Sequence, residues 1–397
     1  MSSIAIVGGV YGEECAFPYW KEIYGSAGRA AVGLSSHVEQ IELHTMMPIE
    51  MAPRVTPNFE SFGIELHTYP SDVFISFDYL HCLADPTITP RTHQIKQQPK
   101  FEVHKDVVVM FGMMESCPRI VADICIYDPQ SPIEPRLFRD TGSEANRLAV
   151  IANSREIELL TGLKGVDGAT ALLAKEKAEI VISKCGMDGA ILVDVSGQIT
   201  KVPAYETKNV FTIGSGDIFV AAFSFAWAIQ KMPAPKAAEY ASKAVAQYVE
   251  NSALPILSID EAEKSTRNVI RLTGGEIYLA GPFRELGQRV IVNEARKILR
   301  GLGLSVFSPV HDIGHGPPEQ VVAQDLKAID RCDAVLAIMN GSSPGTVFEV
   351  GYAVAKGKPV YCVAQNMRSN DMKLPIGAGC IVHQDFISAL HLLAWRK

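Results

Sequence analysis

Short apolar segments rich in β-branched residues recur along this chain and alternate with helical patterns, which limits the possible folds to α/β architectures. Strands this apolar are covered on both faces, as in parallel sheets flanked by helices. The alternation occurs in two series. The first contains predicted strands at 4–9, 40–47, 106–112, 123–129, 149–153, 179–186 and 190–195, and predicted helices at 215–230 and 234–251.

The second series begins after Thr273-Gly274-Gly275. Its predicted strands are 276–281, 305–310, 334–339 and 359–364, and helices are predicted near 286–301 and 318–331. A chain of 397 residues is long enough for two or three domains. We therefore expect domains at 1–272 and 274–397, the second with a smaller doubly wound parallel sheet that binds ligands at the carboxyl ends of its strands. Two proline-rich polar stretches, 48–60 and 84–100, are predicted to be loops or a lid.

Composition excludes several classes of function. Hydrophobic residues at 47% and charged residues at 20% are typical of a globular protein. The net charge of −7 and the scattered basic residues argue against nucleic-acid binding, and no apolar stretch approaches the roughly 18 residues of a membrane span. The chain opens without a signal-peptide pattern, and its eight cysteines include no C-x-x-C. We expect a cytoplasmic protein with reduced thiols and, because no histidines or cysteines stand at ligand spacing, no structural metal site.

A glycine-rich turn precedes an apolar helix at Phe211-Thr212-Ile213-Gly214-Ser215-Gly216-Asp217. Backbone N–H groups at such a helix start point toward an anion, and the helix dipole adds to the attraction. Asp217 stands where it could bind and deprotonate a hydroxyl group. The alternative is a capped helix start with Asp217 in the first turn.

Together with three other segments, this turn resembles the signature D-T-x-G-A-G-D of the ribokinase-like (PfkB) sugar kinase family, and the resemblance extends over residues 1 to about 255. The segment 25–28 resembles the family's glycine-rich substrate loop, 153–156 matches its N-x-x-E element, and 183–190 resembles its strand-turn-strand beside ATP. Phe211 and Ser215 replace the first Asp and the Ala of the signature, and the family's substrate-binding acid near the N-terminus appears as Glu13.

The resemblance implies a ribokinase-like fold, ATP and Mg²⁺ as cofactors, and Asp217 as the general base. The implied anion-hole and ATP-binding residues are Gly214, Ser215, Gly216, Asn153, Glu156, Lys184, Gly186 and Gly189, the implied substrate-binding residues are Glu13, Gly25 and Gly28, and Glu156 is linked to Mg²⁺ through phosphate or water.

A single acid, Glu349, lies within the apolar run SPGTVFEVGYAVAKGKPV at 343–360. One interpretation places it in the first turn of a helix that opens near Pro344, where its charge meets the positive end of the dipole. The surrounding pattern supports another. Residues 276 to about 365 resemble the nucleoside 2-deoxyribosyltransferase family, including the deoxynucleoside 5′-monophosphate N-glycosidases, and the matching positions are Tyr278, Gly281, Asp325, Asp333, Gly345, Glu349 and the motif G-K-P-V.

In that family the glutamate at the position of Glu349 is the nucleophile. Breaking an N-glycosidic bond passes through an oxocarbenium-like state that a carboxylate can stabilise or trap. We expect the helix N-terminus to keep Glu349 ionised, and Asp325 to assist the leaving base unless it is only a solvated helix acid. Tyr278 either contacts the sugar or packs, and Asp333 either binds substrate or caps a strand.

Ser343, six residues before Glu349, matches the monophosphate N-glycosidases, which have a serine suited to a phosphate where the transferases usually have an aspartate. Arg284 could supply a positive charge to the same phosphate. Pro282 replaces a serine expected in the glycosidase branch. Family members complete each other's sites, which implies a homo-oligomer.

The sequence thus predicts a bifunctional enzyme with small-molecule sugar, nucleoside or nucleotide substrates. One domain transfers phosphate from ATP to a hydroxyl group, and the other cleaves or exchanges an N-glycosidic bond. The alternatives are a base-exchanging enzyme with an inactive kinase domain, and a nucleotide sensor whose kinase-like domain only binds a ligand and gates the second domain.

Overall fold

The computed structural model describes residues 2–131, 133–314 and 316–396. The chain forms two compact units, which comprise residues 2–207 with 211–270 and residues 208–210 with 271–396. Residues 208–210 therefore belong to the second unit, although in sequence they lie between the two segments of the first unit.

Thirteen strands in the described part of the first unit build two sheets. They are β1 Ser3–Val7, β2 Gly12–Phe17, β3 Trp20–Ile23, β4 Gln40–Met47, β5 Ile64–Pro70, β6 Ser76–His81, β7 Thr87–Thr89, β8 Glu102–Phe111, β9 Arg119–Asp128, β10 Glu144–Asn153, β11 Ile180–Lys184, β12 Ala190–Asp194 and β13 Ile199–Val202. The large sheet has the order β13-β12-β11-β10-β9-β8-β1-β4-β5 and is parallel from β5 to β11. A smaller sheet has the order β3-β2-β6-β7.

Helices cover both faces of the large sheet. They are α1 Gly25–Leu34, α2 Ala52–Glu60, α3 Ser154–Thr161, α4 Gly165–Glu176, α5 Ser215–Ser224, α6 Ala234–Asn251 and α7 Ile259–Lys264. Alternate residues of β1 show the two-sided burial, since Ile4 and Ile6 pack in one apolar cluster and Ala5 and Val7 in another. This is the pattern expected of a parallel sheet with covered faces.

The prediction of a loop at 48–60 is wrong for most of that stretch, because α2 forms there. Pro53 occupies the start of the helix, where the missing N–H is tolerated, and Val55 and Phe59 are buried against the sheet. Tertiary burial of these two side chains outweighs the presence of Pro57 inside the helix.

The second unit is a five-stranded parallel sheet with the order β15-β14-β16-β17-β18. Its strands are β14 Glu276–Ala280, β15 Ser305–Phe307, β16 Ala334–Ile338, β17 Val360–Val363 and β18 Ile381–His383. Its helices are α8 Leu286–Gly301, α9 Pro309–Asp312, α10 Pro318–Arg331, α11 Pro344–Ala355, α12 Lys373–Gly377 and α13 Phe386–Ala394. This strand order is that of flavodoxin-like folds, so the predicted doubly wound sheet is confirmed.

All eight cysteines lie in the described ranges and form no disulfide there, and seven of them are buried. Within the described ranges, no helix combines the length and apolar character required to cross a bilayer.

Candidate active sites

A cavity of about 530 Å³ opens beside the glycine turn that precedes α5. Most of the predicted kinase residues line it. These are Glu13, Gly25, Asn153, Glu156, Lys184, Gly186, Gly214, Ser215, Gly216 and Asp217. Strands β10 and β11 both end at this cavity, with Asn153 and Lys184 as their last residues, as expected for a ligand site at the carboxyl ends of parallel strands.

The geometry of the turn requires two of its glycines. Gly214 has φ 79°, in the left-handed region, and an added Cβ there would lie 2.2 Å from Nε of Arg29. Gly216 has an ordinary φ, but an added Cβ would lie 3.3 Å from Nζ of Lys184. The helix N-terminus and the lysine therefore face the same small space, which a side chain at position 216 would fill.

Arg29 joins two of the acids that line this cavity, Glu13 and Asp217. Its Nη2 donates to Oε2 of Glu13 at 2.6 Å and its Nη1 donates to Oδ2 of Asp217 at 2.7 Å. All three side chains are buried, with Arg29 only 1% exposed. Burial raises the pKa of Glu13, and the neighbouring guanidinium opposes that shift. The sequence analysis did not identify Arg29, and its only signal was one arginine within an otherwise small and apolar helix sequence, GSAGRAAVGL.

Lys184 is held by a second buried acid, Asp128, whose Oδ2 accepts from Nζ at 2.6 Å. Burial raises the pKa of Asp128 to about 7, although Lys184 opposes the shift. Asp128 was also missed, and its signal was an acid at the carboxyl end of the apolar strand β9.

Asn153 and Glu156 form a reciprocal cap at the start of α3. Oδ1 of Asn153 accepts from the Glu156 N–H at 2.9 Å, and Oε2 of Glu156 accepts from the Asn153 N–H at 2.8 Å. One carboxylate oxygen of Glu156 is thus engaged, and the residue still lines the cavity, so a water-mediated contact to a metal needs only its other oxygen.

Two of the predicted kinase glycines lie away from the cavity. An added Cβ at Gly28 would meet the ring of Phe59 at 2.8 Å, so this glycine permits packing of α1 against α2. Gly189 has φ 82°, and an added Cβ would lie 2.0 Å from the Val202 carbonyl oxygen, so it permits the turn between β11 and β12.

The second unit has its own cavity, of about 320 Å³, at the carboxyl end of β14. Gly281, Arg284, Ser343, Gly345 and Glu349 line it, as the sequence predicts. Ser343 is the N-cap residue of α11, although its side chain makes no capping hydrogen bond, and it sits at the cavity together with the first residues of the helix.

Glu349 is paired with a tyrosine. The hydroxyl group of Tyr278, a fully buried residue of β14, donates to Oε1 of Glu349 at 2.7 Å. Asp325 of α10 interacts with the same hydroxyl group, and its Oδ1 is a buried atom with no hydrogen-bond partner among the described residues. Glu349 lines the cavity, whereas Tyr278 and Asp325 lie behind Glu349 and do not line the cavity themselves.

The first-turn interpretation of Glu349 is wrong, because α11 begins at Pro344 and Glu349 lies in its second turn. Burial raises the pKa of Glu349 to about 7, and the hydrogen bond from Tyr278 opposes this shift. Burial also raises the pKa of Asp325 to about 6. The helix N-terminus therefore does not dominate the charge state of Glu349, contrary to our expectation, because the dipole effect fades beyond the first turn.

Asp333 lies at the opposite, amino-terminal end of the sheet. Its Oδ2 accepts from the Glu276 N–H at 2.8 Å, and its own N–H donates to the Glu276 carbonyl oxygen. The structure therefore gives Asp333 the strand-capping role and does not bring it to the cavity.

Comparisons with known proteins assign both units. Residues 112–258 match the model of the pfkB family carbohydrate kinases, and residues 277–385 match that of the nucleoside 2-deoxyribosyltransferases. A curated relative, a putative 2′-deoxynucleoside 5′-phosphate N-hydrolase 1 of Thermofilum pendens, is 30% identical over 102 residues, which are 23% of this chain and 70% of that protein.

Two solved structures resemble the first unit. A double-mutant fructokinase of Vibrio cholerae O395 with bound fructose, ADP and potassium has a TM-score of 0.50 at 14% identity, covering 64% of this chain and 94% of that one. A ribokinase of Thermotoga maritima has a TM-score of 0.49 at 16% identity, covering 66% and 99%. The fold of the first unit is ribokinase-like. This chain is an enzyme of two units: its C-terminal unit belongs to the nucleoside 2-deoxyribosyltransferase family, and residues 112–258 of its N-terminal unit match the pfkB carbohydrate kinase model.

Proposed function

We propose that the C-terminal domain cleaves or transfers at the N-glycosidic bond of a (deoxy)nucleoside 5′-monophosphate or nucleoside, with Glu349 as the nucleophile. The observation that carries this proposal is the hydrogen bond from Tyr278 to Glu349 at the wall of the cavity. A half-buried carboxylate held by one donor is oriented, incompletely solvated and able to attack an electron-poor anomeric carbon.

The hydroxyl group of Tyr278 has one hydrogen, so it can donate to only one of the two carboxylates beside it, Glu349 or Asp325. Because it donates to Glu349, its oxygen can accept from Asp325 when Asp325 is protonated. The pKa of Glu349 is the higher of the two, so a single proton on this pair favours Glu349, and attack uses the form in which that proton sits on Asp325, with Glu349 ionised and Asp325 able to donate. The raised pKa values, about 7 for Glu349 and about 6 for Asp325, place the titration of the pair near neutral pH.

In the first half-reaction, the Glu349 carboxylate bonds to the anomeric carbon while the bond to the base breaks. The electron pair leaves with the base, which takes a proton that originates from Asp325 and passes through water. Water or a second base then attacks the anomeric carbon, frees Glu349 and returns its own proton to Asp325 by the same route. The choice between the two acceptors decides between hydrolysis and base exchange.

A phosphate on the substrate has a matching position in this cavity. Ser343 and the first turn of α11 supply a hydroxyl group and backbone N–H groups, and Arg284 lines the same cavity with a guanidinium. The Thermofilum pendens relative is named for a 2′-deoxynucleoside 5′-phosphate, which favours a monophosphate over a free nucleoside here.

We propose that the N-terminal domain transfers a phosphoryl group to a hydroxyl group of a sugar or nucleoside, with Asp217 as the general base. Its free carboxylate oxygen can accept the acceptor's proton, because Arg29 engages the other. ATP with Mg²⁺, when bound, supplies the phosphoryl group. Backbone N–H groups of the helix start at 214–217 and the Lys184 ammonium group line the cavity of this domain and would contact the phosphates of ATP, and Glu156 can hold the metal through water.

We also propose that the second domain is homo-oligomeric. Leu286 of α8, Val322 of α10 and Phe348 of α11 are 82%, 46% and 59% exposed. Large apolar side chains on three helices are costly to leave in water, and a second copy would cover them. Sedimentation analysis would show an oligomer that Phe348→Glu dissociates.

Product analysis by chromatography tests these activities. The full chain would be incubated with each nucleoside and nucleoside monophosphate, with and without ATP and Mg²⁺. We expect free base from the preferred monophosphate without ATP, and a phosphorylated product from one nucleoside or pentose with ATP. Binding of ATP without any phosphorylated product across the panel would instead support the sensor, in which the kinase-like domain gates the second domain.

A further inference from the structure

A pentapeptide, IELHT, occurs twice in the chain, at 41–45 and 64–68. The two copies lie on β4 and β5, the last two strands of the large sheet, and they pair in parallel and in register. Glu42 thus lies opposite Glu65, and His44 lies opposite His67. Because side chains alternate along a strand, both glutamate–histidine pairs point to the same face of the sheet.

On that face, the two imidazole rings stack at 4.5 Å between centroids and 8° between planes. A ring nitrogen of each histidine and one carboxylate oxygen of Glu42 lie within 4.8 Å of one another. Nε2 of His44 is 3.3 Å from Oε2 of Glu42. Two ligand atoms that bind one zinc ion tetrahedrally at about 2.0–2.1 Å stand about 3.3 Å apart, so this pair already has chelating spacing.

The surroundings orient these ligands. The Tyr69 hydroxyl group lies 3.2 Å from Nδ1 of His44, which leaves Nε2 as the nitrogen that faces Glu42. Lys105 binds the other carboxylate oxygen of Glu42 and fixes its rotation. Such partners on the far side of each ligand are typical of metal sites.

His67 adds an unsatisfied nitrogen. Its Nε2 is shielded from solvent and makes no hydrogen bond within the described residues, although Oε1 of Glu65 lies 3.2 Å away, out of alignment. A shielded ring nitrogen without an aligned partner is unfavourable unless another group satisfies it.

We propose that Glu42, His44 and His67 bind a divalent transition-metal ion of the zinc class, with water as a fourth ligand. Two imidazoles and one carboxylate suit such ions, whereas magnesium and calcium prefer oxygen ligands alone. The ion would connect the edge strand β5 to β4. The sequence analysis expected no structural metal, because the ligands come from two strands about twenty residues apart rather than from a closely spaced motif.

The test measures Zn²⁺ binding by calorimetry with the full chain after removal of bound metals by a chelator. Wild type should bind one equivalent of Zn²⁺. His67→Ala should lose this binding, and its affinity for Zn²⁺ should fall by at least the roughly 10–100-fold that removal of an outer-shell partner causes. His104→Ala is the control, because His104 lies 3.3 Å from Glu102 on β8 and has a single carboxylate neighbour in the same arrangement. Its stoichiometry should equal that of wild type.

Equal Zn²⁺ stoichiometry and affinity in wild type and His67→Ala would overturn the proposal. Circular dichroism checks that His67→Ala is folded. Co²⁺ bound to wild type gives a measurement that needs no variant. We expect visible bands of a nitrogen–oxygen site, and a thiolate charge-transfer band would instead assign the ion to cysteines and refute the site.

Discussion

Single buried side chains hold the reacting groups of both domains. Arg29 lies between Glu13 and Asp217, and Tyr278 lies between Glu349 and Asp325. In each case one neighbour fixes one oxygen of a carboxylate and leaves the other free for a substrate. Removing such a neighbour costs more than one hydrogen bond, because a buried charge is left without its partner.

The Tyr278 hydroxyl group affects the pH dependence of glycosidic cleavage. Its hydrogen bond opposes the effect of burial, and the pKa of Glu349 is raised to about 7 with that bond in place. Tyr278→Phe keeps the ring packed beside Phe307 but removes this donor. We expect the pKa of Glu349 to rise further, so the acid limb of the pH–rate profile should move to higher pH. Tyr352→Phe removes a hydroxyl contact to Asp330 from the same domain and serves as the control. An unshifted acid limb in Tyr278→Phe would refute the role of the tyrosine.

Ser343 should determine whether the substrate carries a phosphate. Ser343→Asp places a carboxylate in the cavity that we assign to the phosphate, and like-charge repulsion in a partly desolvated site is strong. Cleavage of a 5′-monophosphate should fall sharply, while cleavage of the free nucleoside should hold or rise. Kinetics on both substrates would check this. An equal loss on both would return the domain to the nucleoside-exchanging branch.

Sequence patterns could not show the partners of these acids. Arg29 and Asp217 are 188 positions apart, and only the packing of α1 beside α5 brings them together. Glu349 and Tyr278 were identified from motif positions, but their hydrogen bond and the pKa of Glu349 depend on how deeply both are buried. Most of the residues that the motifs named therefore line the cavities, and tertiary structure set their charge.

At the scale of elements, apolar periodicity predicted most of the parallel strands but missed β5 and β18. The predicted strand 40–47 and helix 318–331 match β4 and α10 residue for residue. The four strands of the smaller sheet were missed, because they are short and alternate with exposed residues, and β15 ends early where Ser308 and Pro309 open α9. Strands buried on both faces leave a strong signal in sequence, whereas a sheet with an exposed face leaves a weak one.

The first turn of α5 faces the Lys184 ammonium group across a narrow space. Gly216→Ala keeps an allowed backbone, yet its Cβ would lie 3.3 Å from Nζ of Lys184 and would partly fill this space. We expect phosphoryl transfer to fall about tenfold or more with little loss of stability, since a misplacement of about 1 Å can cost on the order of 10²-fold. Gly33→Ala in α1, whose Cβ would meet its neighbours at 3.5 Å, is the control. Unchanged kinetics in Gly216→Ala would place the phosphates elsewhere.

At the scale of the whole molecule, the two units have separate sheets, cores and cavities. We therefore expect the two activities to be separable. Asp217→Asn should lower phosphoryl transfer by about 10²-fold or more, as loss of a general base typically does, and should leave base release unchanged. Both rates can be followed on one preparation. A kinase activity that survives within a few-fold would refute Asp217 as the base.

The role of Glu349 as nucleophile is the central claim, and Glu349→Gln tests it most directly. Glutamine keeps the size of the side chain but cannot act as an anionic nucleophile. Release of free base from the preferred nucleoside monophosphate should be measured by chromatography for wild type and variant at equal protein concentration. We predict that the variant loses base release by several orders of magnitude while it stays folded and keeps its phosphoryl transfer. Base release by folded Glu349→Gln within a few-fold of wild type would contradict the proposal.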